Sequence, residues 1–171
     1  MSKKQIKVLM IDDEEFFCDL YKKFFEEKDL EVETVTSGKV AIEKLKENKE
    51  TYDIILLDII MPEVDGFETL EIIRDNELAK NSTFIIFSNR TDEEAKEKAK
   101  ELGCTKFIIK SSTSPEQLVE EIKNIYQEHQ ELPEPLTKSY NEILQRASKG
   151  VVARFYEKLS VECPEAMKYF V

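Results

Sequence analysis

Short apolar runs punctuate the chain at Lys7 to Ile11, Ile54 to Leu57, Phe84 to Phe87 and Phe107 to Ile109. Each is rich in β-branched or aromatic residues and apolar at consecutive positions. That pattern suits strands buried on both faces, and so a parallel sheet covered by helices. Val32 to Val35 reads as a fifth, weaker strand. Between the strands the periodicity turns helical, near residues 14–28, 37–48, 66–75, 92–101 and 115–129. Asp65, Thr91 and Ser114 each put a side-chain acceptor three residues before a Glu or Gln, a helix-start signature. Pro115 strengthens the last of these, since proline at a first helical position wastes no hydrogen bond. Strand and helix alternate as (βα)5, which predicts an α/β, doubly wound, three-layer fold.

After Gln130 the pattern breaks at Glu131-Leu132-Pro133-Glu134-Pro135, where closely spaced prolines forbid a regular helix. Residues 1–130 therefore read as one domain, 131–135 as a Pro-containing linker and 136–171 as a short α-helical extension. In the extension Leu136, Tyr140, Ile143, Leu144, Ala147, Val151, Phe155, Tyr156 and Leu159 recur near helical spacing, and Gly150 is a natural break.

A formal charge of -11 and the lack of any dense Lys/Arg cluster argue against direct nucleic-acid binding. No apolar run approaches the roughly 20 residues a membrane-spanning helix needs. The N-terminus enters a strand without an export signal, so a cytoplasmic protein is expected. Cys18, Cys104 and Cys163 lack metal-binding spacing and are expected to be reduced, buried thiols. His129 stands apart from any ligand pattern and reads as a surface residue.

In a doubly wound fold, ligands bind at the carboxyl ends of the strands. Those ends carry Asp12, Asp13 and Glu14 after the first strand, Asp58 after the third, Ser88 after the fourth and Lys110 after the fifth. Crowded carboxylates repel unless a cation intervenes. Oxygen-only donors with no His or Cys beside them select Mg²⁺. A carboxylate next to such an ion and an ammonium can attack a phosphoryl donor, which makes Asp58 a candidate nucleophile. Taken alone, Asp12 and Asp13 would be equally at home as acidic residues at a helix start.

At Val8-Leu9-Met10-Ile11-Asp12-Asp13-Glu14 and Leu56-Leu57-Asp58-Ile59-Ile60-Met61-Pro62-Glu63-Val64-Asp65-Gly66 the chain resembles the response-regulator receivers of two-component signalling, over roughly residues 5–130. The resemblance implies a flavodoxin-like sheet and a phosphoacceptor at Asp58 served by a histidine kinase. It further implies Mg²⁺ held by Asp13, by Asp12 through water, by Asp58 and by the Ile60 carbonyl. Ser88 would hydrogen-bond the phosphoryl group, Lys110 would pair with it, and Phe107 would be the switch aromatic. Output would pass through the face of helix 4, strand 5 and helix 5 to a downstream protein or the chain's own output module.

Two positions depart from the family. Asn89, followed by Arg90, stands where a small residue is usual, which should narrow access to the phosphate. Ser111 stands where proline usually follows the lysine. Phosphohydrolases of the haloacid dehalogenase type also use a strand-end Asp with Mg²⁺, but they need Asp-x-Asp, and Ile59-Ile60 follows Asp58 here. A switch with slow self-dephosphorylation is expected, not a turnover enzyme.

The stretch from Gly150 to Phe170 is similar to the early helices of bacterial globins. No histidine follows His129, so haem is not assigned. Either a truncated receiver–globin fusion or a remnant used for association fits. Segments below about 40 residues seldom bury a core alone, and Val151, Phe155, Tyr156, Leu159, Met167 and Phe170 need cover. A homodimer through residues 136–171 is the expectation.

Overall fold

The computed structural model describes residues 5–47 and 51–131. Expectations for the extension after residue 131, including the globin resemblance, the homodimer and Cys163, lie outside the described residues. The elements run β1 (Ile6–Ile11), α1 (Glu15–Glu26), β2 (Leu30–Val35), α2 (Gly38–Glu47), β3 (Ile54–Leu57), α3 (Gly66–Asp75), β4 (Thr83–Ser88), α4 (Glu93–Glu101), β5 (Lys106–Ile109) and α5 (Pro115–Glu131), with a 3-10 turn at Lys110–Ser112 before α5. All neighbouring strands pair in parallel, in the order β2-β1-β3-β4-β5.

Successive strand residues point to opposite faces, so the continuous apolar runs serve two cores. Leu9, Ile11, Ile55, Leu57, Phe84 and Ile86 face α2, α3 and α4, where Leu45, Leu70, Ile73, Ala95 and Ala99 meet them. Val8, Met10, Ile54, Leu56, Ile85 and Phe87 face α1 and α5, against Tyr21, Phe25, Leu118, Ile122 and Ile125. Each large side chain so buried contributes roughly 1.5–3 kcal/mol. The central strands β3 and β4 are buried throughout, whereas the edge strands β2 and β5 keep exposed or half-buried positions.

Helix starts follow the expected chemistry with one correction. Asp65 accepts from the Glu68 amide at 2.9 Å. Ser114 and Gln117 cap each other reciprocally, at 3.3 and 2.9 Å. At α4 the cap is Asp92, not Thr91: its carboxylate accepts from the Ala95 amide at 3.0 Å. The shorter register wins because a carboxylate there also complements the helix dipole and the Arg90 guanidinium. α5 extends through Glu131, taking in the first residue of the expected linker. His129 is half-buried, not exposed, and burial holds its imidazole below its ordinary value. Cys18 is buried and Cys104 partly so, both as free thiols.

Candidate phosphoacceptor site

Strand register brings the candidate residues to one edge. Ile11 aligns with Leu57 and Leu57 with Ile86, while Ser88 aligns with Ile109. Asp12, Asp58 and Lys110 are therefore the first residues past their strands, and Ser88 is the last of its own. Asp58 is anchored by its amide to the Ile11 carbonyl at 2.9 Å, and Asp12 by its amide to the Val35 carbonyl at 3.1 Å. Across the floor, Gly66 lets the start of α3 pass close to β3: a Cβ there would collide with the Asp58 carbonyl and the Ile59 backbone.

Asp58 is 5 % exposed and fully engaged. Its Oδ1 accepts from the Ser88 hydroxyl at 2.6 Å and from the Ile60 amide at 3.0 Å. Its Oδ2 accepts from the Lys110 ammonium at 2.6 Å. The same ammonium lies 2.6 Å from Asp12 Oδ2 and 3.7 Å from a Glu14 oxygen. Asp12 Oδ1 accepts from the Glu14 amide at 3.1 Å. Asp12 Oδ2 meets the Lys110 ammonium as an ion pair and has no hydrogen bond. The rings of Phe17 and Phe87 flank the ammonium, their centroids 5.6 and 5.9 Å away.

Burial pushes the Asp12 carboxyl above its usual range, against the opposing pull of Lys110 and the Glu14 amide. Burial works to lower Lys110, but its charge contacts with Asp12 and Asp58 carry it above its ordinary value, so it stays an ammonium. Below this pair, the Cys18 thiol donates to the Asp12 carbonyl at 3.3 Å. Burial and the Asp12 charge push that thiol up to about 11, which makes it inert.

Carboxylate oxygens of Asp12, Glu14 and Asp58 lie within 4.8 Å of one another. Glu14, more than half exposed along its side chain at 52 %, thus joins the cluster, whereas half-buried Asp13 is not part of it. The turn explains this: the Glu14 amide folds back on Asp12, which points its side chain toward Lys110. Ile60, two residues after Asp58, is 54 % exposed, out of the core. Phe107 is half-buried against the α2–α3–α4 core and lines a groove of about 530 Å³ between β5 and α5.

Sequence reasoning missed two partners. Phe17 beside Lys110 belongs to the α1 aromatic stripe with Tyr21, a spacing visible in the sequence. The Asn89 side-chain carbonyl accepts from the Ser111 amide at 2.9 Å, joining the two positions that depart from the family. Arg90 meanwhile is folded onto Asp92 by paired bonds of 2.8 and 2.7 Å. Among the described residues no peptide bond is cis.

The chain matches the family described as "Response regulator receiver domain" over residues 8–123. Response regulator SaeR of Staphylococcus aureus is 35% identical over 118 residues, which cover 69% of this chain and 49% of that protein. The chain thus spans about half the length of the curated relatives it matches. The receiver domain of Francisella response regulator 1452 superposes with a TM-score of 0.64 at 28% identity, covering 72% of this chain and 98% of that one. Vibrio cholerae chemotaxis protein CheY4 does so with a TM-score of 0.64 at 26% identity, covering 71% and 98%.

Proposed function

The chain belongs to the response-regulator receiver family, and on that premise we propose that Asp58 accepts a phosphoryl group from a histidine kinase and that the modification switches partner binding. The observation that carries this reading is the buried Asp58 carboxylate, gripped by Ser88 and Lys110 and bordered by Asp12 and Glu14. In the transfer, an Asp58 oxygen forms a bond to phosphorus as the bond from phosphorus to the donor atom breaks. The electron pair stays with the donor, which takes up a proton. Lys110 offsets charge on the phosphoryl oxygens, and the Ser88 hydroxyl is within reach to donate to one of them.

The donor set fits a hard divalent cation: it is all oxygen, and the buried Asp12 Oδ2 lacks a hydrogen bond. Asp12, Asp58, the Ile60 carbonyl and either Asp13 or Glu14 would hold Mg²⁺. When bound, that ion supplies positive charge to the transferring group. With no second acid after Asp58 at the position a phosphohydrolase uses, the chain acts as a switch that loses its phosphate slowly to water. Output passes through α4, β5 and α5, where Phe107 and the β5–α5 groove lie, to a downstream protein or an output module of the same chain. No helix among the described residues is long and apolar enough to cross a membrane, in keeping with a cytoplasmic switch. Association through residues 136–171 remains part of this proposal.

The test is incubation with acetyl phosphate and Mg²⁺, read by intact mass. Wild type gains one phosphoryl group and Asp58→Asn none. An unmodified wild type, or a modified Asp58→Asn, refutes the assignment.

A further inference from the structure

The parallel pairing of β4 and β5 ends at Ser88 and Ile109. Beyond it the backbones part, because Lys110–Ser112 curls into a 3-10 turn. No strand carbonyl then serves the Ser111 amide, and the Asn89 side-chain carbonyl takes it instead, at 2.9 Å. Each residue in this bridge directly follows a group that grips Asp58: Asn89 follows Ser88, whose hydroxyl holds Oδ1, and Ser111 follows Lys110, whose ammonium holds Oδ2. Beyond the last ladder pair, this bridge ties the two loops to each other directly. A proline at 111 would have no amide to offer, and a small residue at 89 would have no acceptor, so the two residue types work only together.

We propose that Asn89 is a positioning residue for the phosphoryl-accepting centre, tying the loop that carries Ser88 to the turn that carries Lys110 so that hydroxyl and ammonium meet Asp58 as one unit. This rests on the phosphoacceptor reading above. Asn89 touches neither Asp58 nor a donor, so its loss acts on the rate of transfer and not on donor binding. The net worth of one hydrogen bond corresponds to roughly two- to tenfold in rate.

The experiment uses the full chain with acetyl phosphate and Mg²⁺, comparing wild type, Asn89→Ala, Ser111→Pro and the double variant. Asn89→Ala lowers the maximal labelling rate about two- to tenfold, with the half-saturating acetyl phosphate concentration unchanged and the melting temperature lowered by no more than a few degrees. The Ser111 amide exchanges with solvent faster in Asn89→Ala than in wild type. The double variant is no slower than the worse single one, as expected when both changes remove the same bond. A wild-type labelling rate in Asn89→Ala, unchanged Ser111 exchange, or single effects that add in full overturn the proposal. Should Ser111→Pro misfold, the Asn89→Ala rate and exchange measurements still decide. A wild type that takes no label overturns the phosphoacceptor reading itself, and is told apart because Ser111 exchange still differs between the two proteins.

Discussion

Lys110→Met removes the ammonium that lies beside the Phe17 and Phe87 rings in the acidic cluster while keeping an unbranched side chain. Lys110 is 6 % exposed, and its nitrogen lies 2.6 Å from carboxylate oxygens of both Asp12 and Asp58. At an effective dielectric near 20, each such contact is worth about 6 kcal/mol of attraction. Desolvating the ammonium returns several kcal/mol of this. What remains decisive is that Asp12 and Asp58, themselves 1 % and 5 % exposed, are left as neighbouring buried anions. Removing one partner from a buried ion pair costs about 3–5 kcal/mol, a large part of the roughly 5–15 kcal/mol that holds a domain folded. Urea unfolding at pH 7 without divalent cation should show that loss, and the melting temperature should fall by roughly 10 °C or more. The deficit should shrink in acid, where the carboxylates can take up protons, and on adding Mg²⁺. A Lys110→Met protein within about 1 kcal/mol of wild type at pH 7, below the least cost of breaking such a pair, would refute the view that this ammonium holds the cluster together.

Because burial raises the Asp12 carboxyl in the folded state, its contribution to stability is present below the ordinary carboxylate pKa and is lost as pH rises through the folded value. Wild type should therefore lose stability relative to Asp12→Asn as cation-free urea titrations move from acid toward neutral pH; a constant difference would reject that sign. Gly66→Ala should cost about 1–3 kcal/mol and slow labelling of Asp58, because the new methyl meets backbone that cannot turn aside; calorimetry and labelling rates check both. Mg²⁺ at about 100 times its dissociation constant should stabilise wild type by about 2.7 kcal/mol, reversed by chelator. Thermal shifts of Asp13→Asn and Glu14→Gln then identify the third carboxylate ligand: the family pattern gives Asp13 the larger loss, the observed cluster gives it to Glu14.

The central strands were legible because β3 and β4 are buried at every position, so consecutive apolar residues mark them directly. β2 was weak in the sequence for the same reason that it is an edge: Glu31 is exposed, and Glu33 and Thr34 are half-buried. That Asp58, Ser88 and Lys110 share one edge was legible from the strand ends, since parallel register carries those ends together; the roles expected of them came from the family resemblance. Asp13 against Glu14 did not follow, because the choice depends on a turn in which the Glu14 amide bonds Asp12. The Asn89–Ser111 bridge was equally hidden, being a contact between residues far apart in sequence whose loops meet only in the folded sheet. At α4, two adjacent capping residues compete, and the carboxylate of Asp92 prevails over the Thr91 hydroxyl through partners on both sides.

The proposed switch rests on one acyl phosphate, formed on Asp58. After labelling with acetyl phosphate and Mg²⁺, reduction with borohydride converts a phosphorylated aspartate to homoserine, and peptide sequencing by mass spectrometry locates it. Homoserine is expected at position 58 and at no other aspartate. Homoserine at position 12 or 13, or none in a protein that has gained phosphoryl mass, would contradict it.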